Sequence, residues 1–187
     1  MKNPDITSDQ ELLEAVKTGN LDAYTTFVRR YEKQIASTVI SMLGDCPEAQ
    51  DVGQETFIRF YKSLDNFRGD SSPATYLTRI AINLSLNEIK RRKRNQSRHA
   101  PLEQARQTAV KGKSEEHFDL KENIQRAIQS LDPKYRSVVV LRLVDGYSTK
   151  ETAHILKLPM GTVLSRLARA QAKLRKILSP MLGENHE

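Results

Sequence analysis

Residues 145–178 read DGYSTKETAHILKLPMGTVLSRLARAQAKLRKIL, and the spacing within this stretch decides the fold. Gly146 breaks a preceding apolar run, and Ser148 with Glu151 has the spacing of a capping box, in which each side chain satisfies the other's end of a new helix. That helix is expected to be short, ending near Leu156. After Lys157-Leu158-Pro159 a longer helix is expected, because Val163, Leu167, Ala170, Leu174, Ile177 and Leu178 recur at steps of three and four. A short helix, a brief turn and a long basic helix outline a helix-turn-helix. Unrolled at about 100° per residue, the long helix gathers Thr162, Ser165, Arg166, Arg169 and Lys173 opposite or beside its apolar stripe. Arg pairs bidentately with guanine, and Ser or Thr bonds base edges or phosphates, so such a face suits the major groove of DNA. Leu164 falls outside both the polar face and the stripe. The competing reading is an ordinary solvated basic helix.

The same period runs upstream, which makes the chain all-α. Just before the quoted stretch, Asp132 and Pro133 make a cap and first-turn pair for a helix carrying Val138, Val139, Leu141, Leu143 and Val144. Phe27, Tyr31, Ile35, Val39 and Leu43 form one stripe at steps of four. Val52, Thr56, Phe60 and Leu64 form another, with Pro47 near its start. A turn-rich stretch from Asn66 to Pro73 precedes a third helix, marked by Leu77, Ile80, Ala81 and Leu84, that runs into Lys90-Arg91-Arg92-Lys93-Arg94. Residues 1–95 therefore read as a helical bundle. From Gln96 the period fades into Gln, Ser, Lys and Glu, so 96–118 reads as a flexible linker, with the helix-turn-helix domain occupying 119–187.

Charge follows the same division. The chain of 187 residues carries a net charge of +7. Residues 1–65 hold 7 basic and 11 acidic side chains, whereas 66–95 hold 7 and 2, and 119–187 hold 12 and 7. An acidic first third and two basic blocks suggest separate surfaces for a protein partner and for nucleic acid. Five cations in a row exceed what a helix end needs, so the cluster from Lys90 suits phosphates. Between Phe67 and Asn87, Phe67, Tyr76, Asn83 and Asn87 interleave with Arg68 and Arg79, a combination suited to stacking and reading unpaired bases. Taken singly, Phe67 and Tyr76 are more simply core residues.

Enzyme chemistry finds no support in the motifs. There is no Gly-rich phosphate loop, no His-Glu-x-x-His and no Cys-x-x-Cys, and His99, His117, His154 and His186 are scattered without ligand spacing. Asp51 and Glu55, one turn apart, read better as an acidic face for a basic partner than as paired carboxylates. No metal or cofactor is expected. The single Cys46 excludes an intrachain disulfide, no apolar run approaches a membrane span, and nothing at the N-terminus resembles a secretion signal, so a cytoplasmic protein is expected.

Three motifs, in order, resemble the bacterial RNA polymerase sigma factors of the extracytoplasmic-function (ECF) type. Asp51 to Arg59 followed by Leu64-Asp65-Asn66-Phe67 is similar to the family's segment that binds the polymerase clamp. Thr75 to Asn83, running into the basic cluster, is similar to the segment that melts and reads the minus-ten element. Leu131-Asp132-Pro133 through Arg142, then Gly146-Tyr147-Ser148 and Gly161 to Leu167, resembles the domain that reads the minus-thirty-five element. The resemblance implies a non-enzymatic initiation factor whose partners are core RNA polymerase, at the beta-prime clamp and beta flap, promoter DNA and an anti-sigma factor. It assigns Asp51, Gln54 and Glu55 to the clamp. It assigns Phe67, Arg68, Ser72, Tyr76, Arg79, Asn83, Asn87, Arg91 and Arg92 to the minus-ten element. Thr162, Ser165, Arg166, Arg169 and Lys173 go to the minus-thirty-five groove. Tyr76 stands where the family usually has Trp, Leu164 where it has Lys or Arg, and Gly53 where it has a larger residue. A self-sufficient helix-turn-helix regulator is the alternative that the C-terminal domain alone would support, and an RNA-binding or metal-dependent enzyme is a more distant one.

Overall fold

The computed structural model describes residues 8–67, 69–103 and 120–181, and all the regular structure among them is helical. Helix α1 (Asp9–Lys17) starts on a capping box made by Ser8 and Glu11, and α2 (Leu21–Leu43) starts on Asn20, whose side chain accepts from the Ala23 amide. Gly44, at φ +89°, ends α2 in a conformation that a side chain would strain. Helix α3 (Pro47–Lys62) begins on proline, whose ring presets the first turn. After a 3-10 turn at Leu64–Asn66, helix α4 (Pro73–Glu103) begins on Ser72, whose hydroxyl accepts from the Thr75 amide.

These four helices bury the expected stripes. Phe27, Tyr31, Ile35, Val39 and Leu43 of α2 pack with Phe60 of α3 and Leu77, Ala81 and Ile82 of α4. Phe27 and Phe60 stack with ring centroids 4.9 Å apart. Each such side chain contributes about 1.5–3 kcal/mol by leaving water, so the bundle is held mainly by this layer.

In the C-terminal half, α5 (Leu120–Ser130) and α6 (Pro133–Val139) lead into a π-helical turn at Val140–Val144. Helices α7 (Thr149–Leu156) and α8 (Met160–Leu178) follow, ending in a 3-10 turn at Ser179–Met181. Ser148 and Glu151 form the expected capping box. The turn between α7 and α8 bends through Lys157 at φ +52°, a left-handed residue that closes the shorter helix. Val138, Ala153 and Val163 form the small core of this unit.

Three expectations change. Helix α4 runs on through Glu103, past the linker start expected at Gln96, across a polar stretch that carries no apolar stripe to betray it and includes Pro101. The remainder of the expected linker, 104–118, lies outside the described residues, as does Arg68. The apolar helix expected after Asp132 is not α-helical to its end either, since α6 stops at Val139. The Asp145 amide bonds the Val140 carbonyl, closing a wide turn that rotates Leu143 and Val144 to the surface. Asp132 does start α6, but its side chain makes no cap hydrogen bond and lies 3.3 Å from Lys173 instead.

The two halves pack against each other: α2 meets α5, α6 and the π turn, while α4 meets α6 and α7. Ile128, Tyr135, Val139, Val140, Leu141 and Tyr147 join the bundle's own core. Polar groups pin the contact. Thr38 donates to Asp145 at 3.0 Å, Gln125 donates to the Ile40 carbonyl at 2.7 Å, and Arg136 donates to the Met42 carbonyl. Gln129 lies against Gly44 so closely that a Cβ there would meet its amide at 3.1 Å, a second reason for glycine at that position.

Candidate nucleic-acid interface

On α8 the expected polar face divides in two. Ser165 and Arg169 are exposed on the side away from the core, and the Ser165 hydroxyl donates back to the Thr162 carbonyl at 3.1 Å. Thr162 is half-buried in the first turn. Arg166 lines a cleft toward α4 with Leu86, Lys90, Asp132 and Leu158, so in this arrangement it faces the other half of the molecule. Lys173 turns toward α6, paired with Asp132 and standing 5.0 Å over the Tyr135 ring. The structure therefore brings Ser165 and Arg169 together and separates Arg166 and Lys173 from them, because a wheel records direction around one helix and not which neighbour flanks it.

On α4, Tyr76, Arg79, Asn83, Asn87, Lys90 and Arg94 follow at steps of three and four along one face. Asn83, Asn87, Lys90 and Arg94 are exposed. At the start of this row Phe60, Phe67 and Tyr76 form an aromatic cluster with centroids 5.3–5.9 Å apart, so Phe67 and Tyr76 are half-buried rather than free platforms. Ser72 serves as the cap of α4 and bonds Thr75. Phe67, Gly69, Asp70, Tyr76 and Arg79 surround a cavity of about 360 Å³, closed on one side by His154 of α7. His154 gave no sequence signal, since only the packing of the two halves brings it there.

The basic cluster also divides. Arg92 is an anchor: it reaches Glu88 at 3.0 Å, Glu48 at 3.2 Å, Cys46 Sγ at 3.1 Å and the Leu43 carbonyl at 3.4 Å. Arg91 bonds Glu88 at 2.7 and 3.0 Å, and this bond, opposed by burial and joined by Arg92, holds the Glu88 carboxyl below its usual range. Lys90, Lys93 and Arg94 are exposed to solvent.

A third surface lies between α2 and α3. A groove of about 420 Å³ is lined by Glu32, Ile35, Asp45, Gln50, Gly53 and Gln54 among others. Asp51 and Gln54 are exposed, while Glu55 pairs with Arg59 at 2.7 Å. A Cβ on Gly53 would meet nothing within 4 Å, so glycine there opens the groove rather than relieving a clash. The Tyr24 hydroxyl fixes the two helices by donating to the Phe57 carbonyl at 2.7 Å, and burial, with Tyr61 nearby, pushes its pKa up to about 12. Glu32, Asp45 and Gln50 were missed in the sequence because they lie outside the motif that marked Asp51 and Glu55. No cluster of His, Cys, Asp and Glu capable of holding a metal occurs among the described residues.

A helical bundle bearing an acidic-edged groove and a basic helix, followed by a helix-turn-helix, matches known families in the same order. Residues 27–95 match the family Sigma-70 region 2, and residues 121–174 match Sigma-70, region 4. The RNA polymerase sigma-H factor of Pseudomonas aeruginosa is 37% identical over 186 residues, covering 94% of this chain and 96% of the relative. The ECF RNA polymerase sigma factor SigW of Bacillus subtilis is 35% identical over 176 residues, covering 89% and 94%. The solved structure of CnrH in complex with the cytosolic domain of CnrY is 28% identical, covers 95% of this chain and 99% of that one, and superposes with a TM-score of 0.64. The chain belongs to the ECF RNA polymerase sigma factors, a family of transcription initiation factors. The order of the three sequence motifs anticipated this. Likeness over nearly the whole chain, not over the C-terminal domain alone, sets aside the self-sufficient helix-turn-helix regulator.

Proposed function

We propose that the chain binds core RNA polymerase through α3 and the groove beside it, with Gln54 in the groove and Asp51 and Glu55 further round the same helix meeting the clamp, and the C-terminal unit meeting the beta flap. Asn83 and Asn87, with Phe67, Arg68, Ser72, Tyr76, Arg79 and Arg91, read and melt the minus-ten element. Thr162, Ser165, Arg166 and Arg169 read the minus-thirty-five element, and Lys173 and Arg92 serve chiefly to hold the fold. The domain boundaries proposed are 1–103 for the polymerase and minus-ten unit and 120–187 for the minus-thirty-five unit. The protein acts in the cytoplasm, performs no covalent chemistry, and uses no cofactor. No described helix is long and apolar enough to cross a membrane.

The observation that carries this reading is the separation of charge: acidic side chains rim one groove, while exposed cations run along α4 and α8 on the other unit faces. The CnrH structure was solved with the cytosolic domain of CnrY, and another similar structure, also with a TM-score of 0.64, pairs the sigma factor RpoE with the anti-sigma factor NepR of Bartonella quintana. An anti-sigma factor is proposed here on that likeness. The packed arrangement must also open in use. Promoter elements named for positions 25 base pairs apart lie about 85 Å from each other at ~3.4 Å per base pair. Tyr147 and Thr78, on the two DNA-reading units, are in hydrogen-bond contact.

Co-elution with core enzyme on gel filtration, followed by run-off transcription from a promoter library, tests the reading. Specific initiation that depends on both elements is expected. Absence of core binding would end it.

A further inference from the structure

Helix α8 turns an apolar edge to solvent beside its basic one. Met160 and Leu164, one turn apart, are 53% and 54% exposed, and exposed Ala168 continues the row by another turn. The other large aliphatic side chains of the helix, Val163, Leu167, Leu174, Ile177 and Leu178, all face the body of the protein to some degree. Leu164 lies about 100° from Ser165 and about 140° from Arg169 around the helix, so both polar residues and the leucine border one outward surface. The cations of that surface, Arg169 with Arg175 and Lys176 further along, favour a polyanion over an apolar peptide or a second copy of this basic chain.

A leucine can neither donate nor accept a hydrogen bond, so on such a surface it cannot read the polar edges of bases or hold a phosphate. The major groove offers one apolar group, the C5-methyl of thymine. We propose that Leu164 is a specificity-determining residue that selects thymine in the upstream promoter element by packing on that methyl, while Ser165 and Arg169 contact the polar edges or phosphates alongside. This deepens the minus-thirty-five reading above and rests on it. A thymine-for-cytosine preference at one position follows, because cytosine lacks the methyl and presents an amino donor that leucine cannot satisfy.

The test uses full-length protein with core enzyme on a promoter selected by run-off transcription from a library randomised upstream. Templates carry deoxyuridine in place of thymidine, one position at a time, which deletes only the methyl. The wild type is expected to lose about fourfold in initiation at one position of the upstream element, the worth of one buried methyl. Leu164→Ala is expected to initiate more weakly on the thymidine template and to lose less than twofold on substitution. Leu164→Met should keep the preference. Because Leu164 stands mostly in solvent, neither variant should shift thermal unfolding. A wild type indifferent to every deoxyuridine, on a template whose scrambled upstream element abolishes initiation, overturns the proposal and leaves the sigma reading standing. Weaker core binding by Leu164→Ala with a flat deoxyuridine scan also overturns it, by assigning Leu164 to the polymerase. Indifference to scrambling of the whole element overturns both.

Discussion

The hydroxyl of Tyr147 lies 2.9 Å from that of Thr78, joining residues 69 apart in the chain and on different DNA-reading units. Gln34 of α2 donates to the same tyrosine at 3.2 Å, and Tyr147 is buried between them. One side chain from the entry of the helix-turn-helix thus plugs into both α2 and α4. Tyr147→Phe keeps the ring packing and removes both bonds, leaving the buried Thr78 hydroxyl without this partner. A loss of about 1 kcal/mol from the contact is expected. Small-angle scattering of the free protein should show a larger radius of gyration for the variant, and an unchanged radius would mean that the contact does not hold the units together.

Asp145 beside it makes the same contact sensitive to pH. Burial pushes its pKa up to about 6, against the hydrogen bond from Thr38, which favours the ionised form. Since the folded value lies above the ordinary carboxyl value near 4, the group's contribution is fully present below about pH 4 and is lost as pH rises through about 6. Urea unfolding of the wild type should therefore show this component weakening between those limits. Asp145→Asn removes the charge while keeping an acceptor for Thr38. It should flatten that part of the profile and gain on the order of 1–2 kcal/mol at neutral pH. A variant whose pH profile parallels the wild type would contradict the assignment.

Neighbouring cations of α4 are expected to fail differently. Arg92→Ala removes bonds to Glu88, Glu48, Cys46 and the Leu43 carbonyl, so it should lower unfolding stability by about 1–3 kcal/mol. Lys93→Ala and Arg94→Ala, at exposed positions, should leave stability within about 0.5 kcal/mol. In polymerase-bound form they should reduce the salt dependence of promoter binding by about one unit of log–log slope each, if those side chains contact phosphate. Equal stability losses across the three variants would remove the distinction.

The split within this cluster shows what the sequence could and could not disclose. The α2 stripe from Phe27 to Leu43 was legible because burial repeats with the helical period, and Ser148 with Glu151 was legible because a capping box is local. Arg92 and Lys173 looked like their exposed neighbours. Their roles depend on Leu43, Cys46 and Asp132, which only tertiary packing brings near. The extra residue of the π turn and the continuation of α4 past Gln96 escaped for a related reason: neither carries an apolar period, and each is decided by the backbone. The pairing of Thr38 with Asp145, 107 residues away, left no periodic trace at all.

Gly53 offers a test of the groove that separates folding from binding. It sits inside α3 at ordinary helical geometry, and a Cβ there meets no atom within 4 Å. Gly53→Ala should therefore stabilise the helix by about 0.5–1 kcal/mol, the usual cost of glycine in a helix interior, and raise the thermal midpoint. The small methyl leaves most of the groove open, so core polymerase should still bind. Gly53→Trp keeps the helix but fills the space between Glu32, Ile35 and Gln54, where the partner is proposed to enter. It should unfold no more easily than wild type while losing co-elution with core enzyme by at least tenfold. Retained binding by the tryptophan variant would move the polymerase contact off this groove, whereas loss of binding by the alanine variant would mean that the partner's backbone approaches α3 at this glycine.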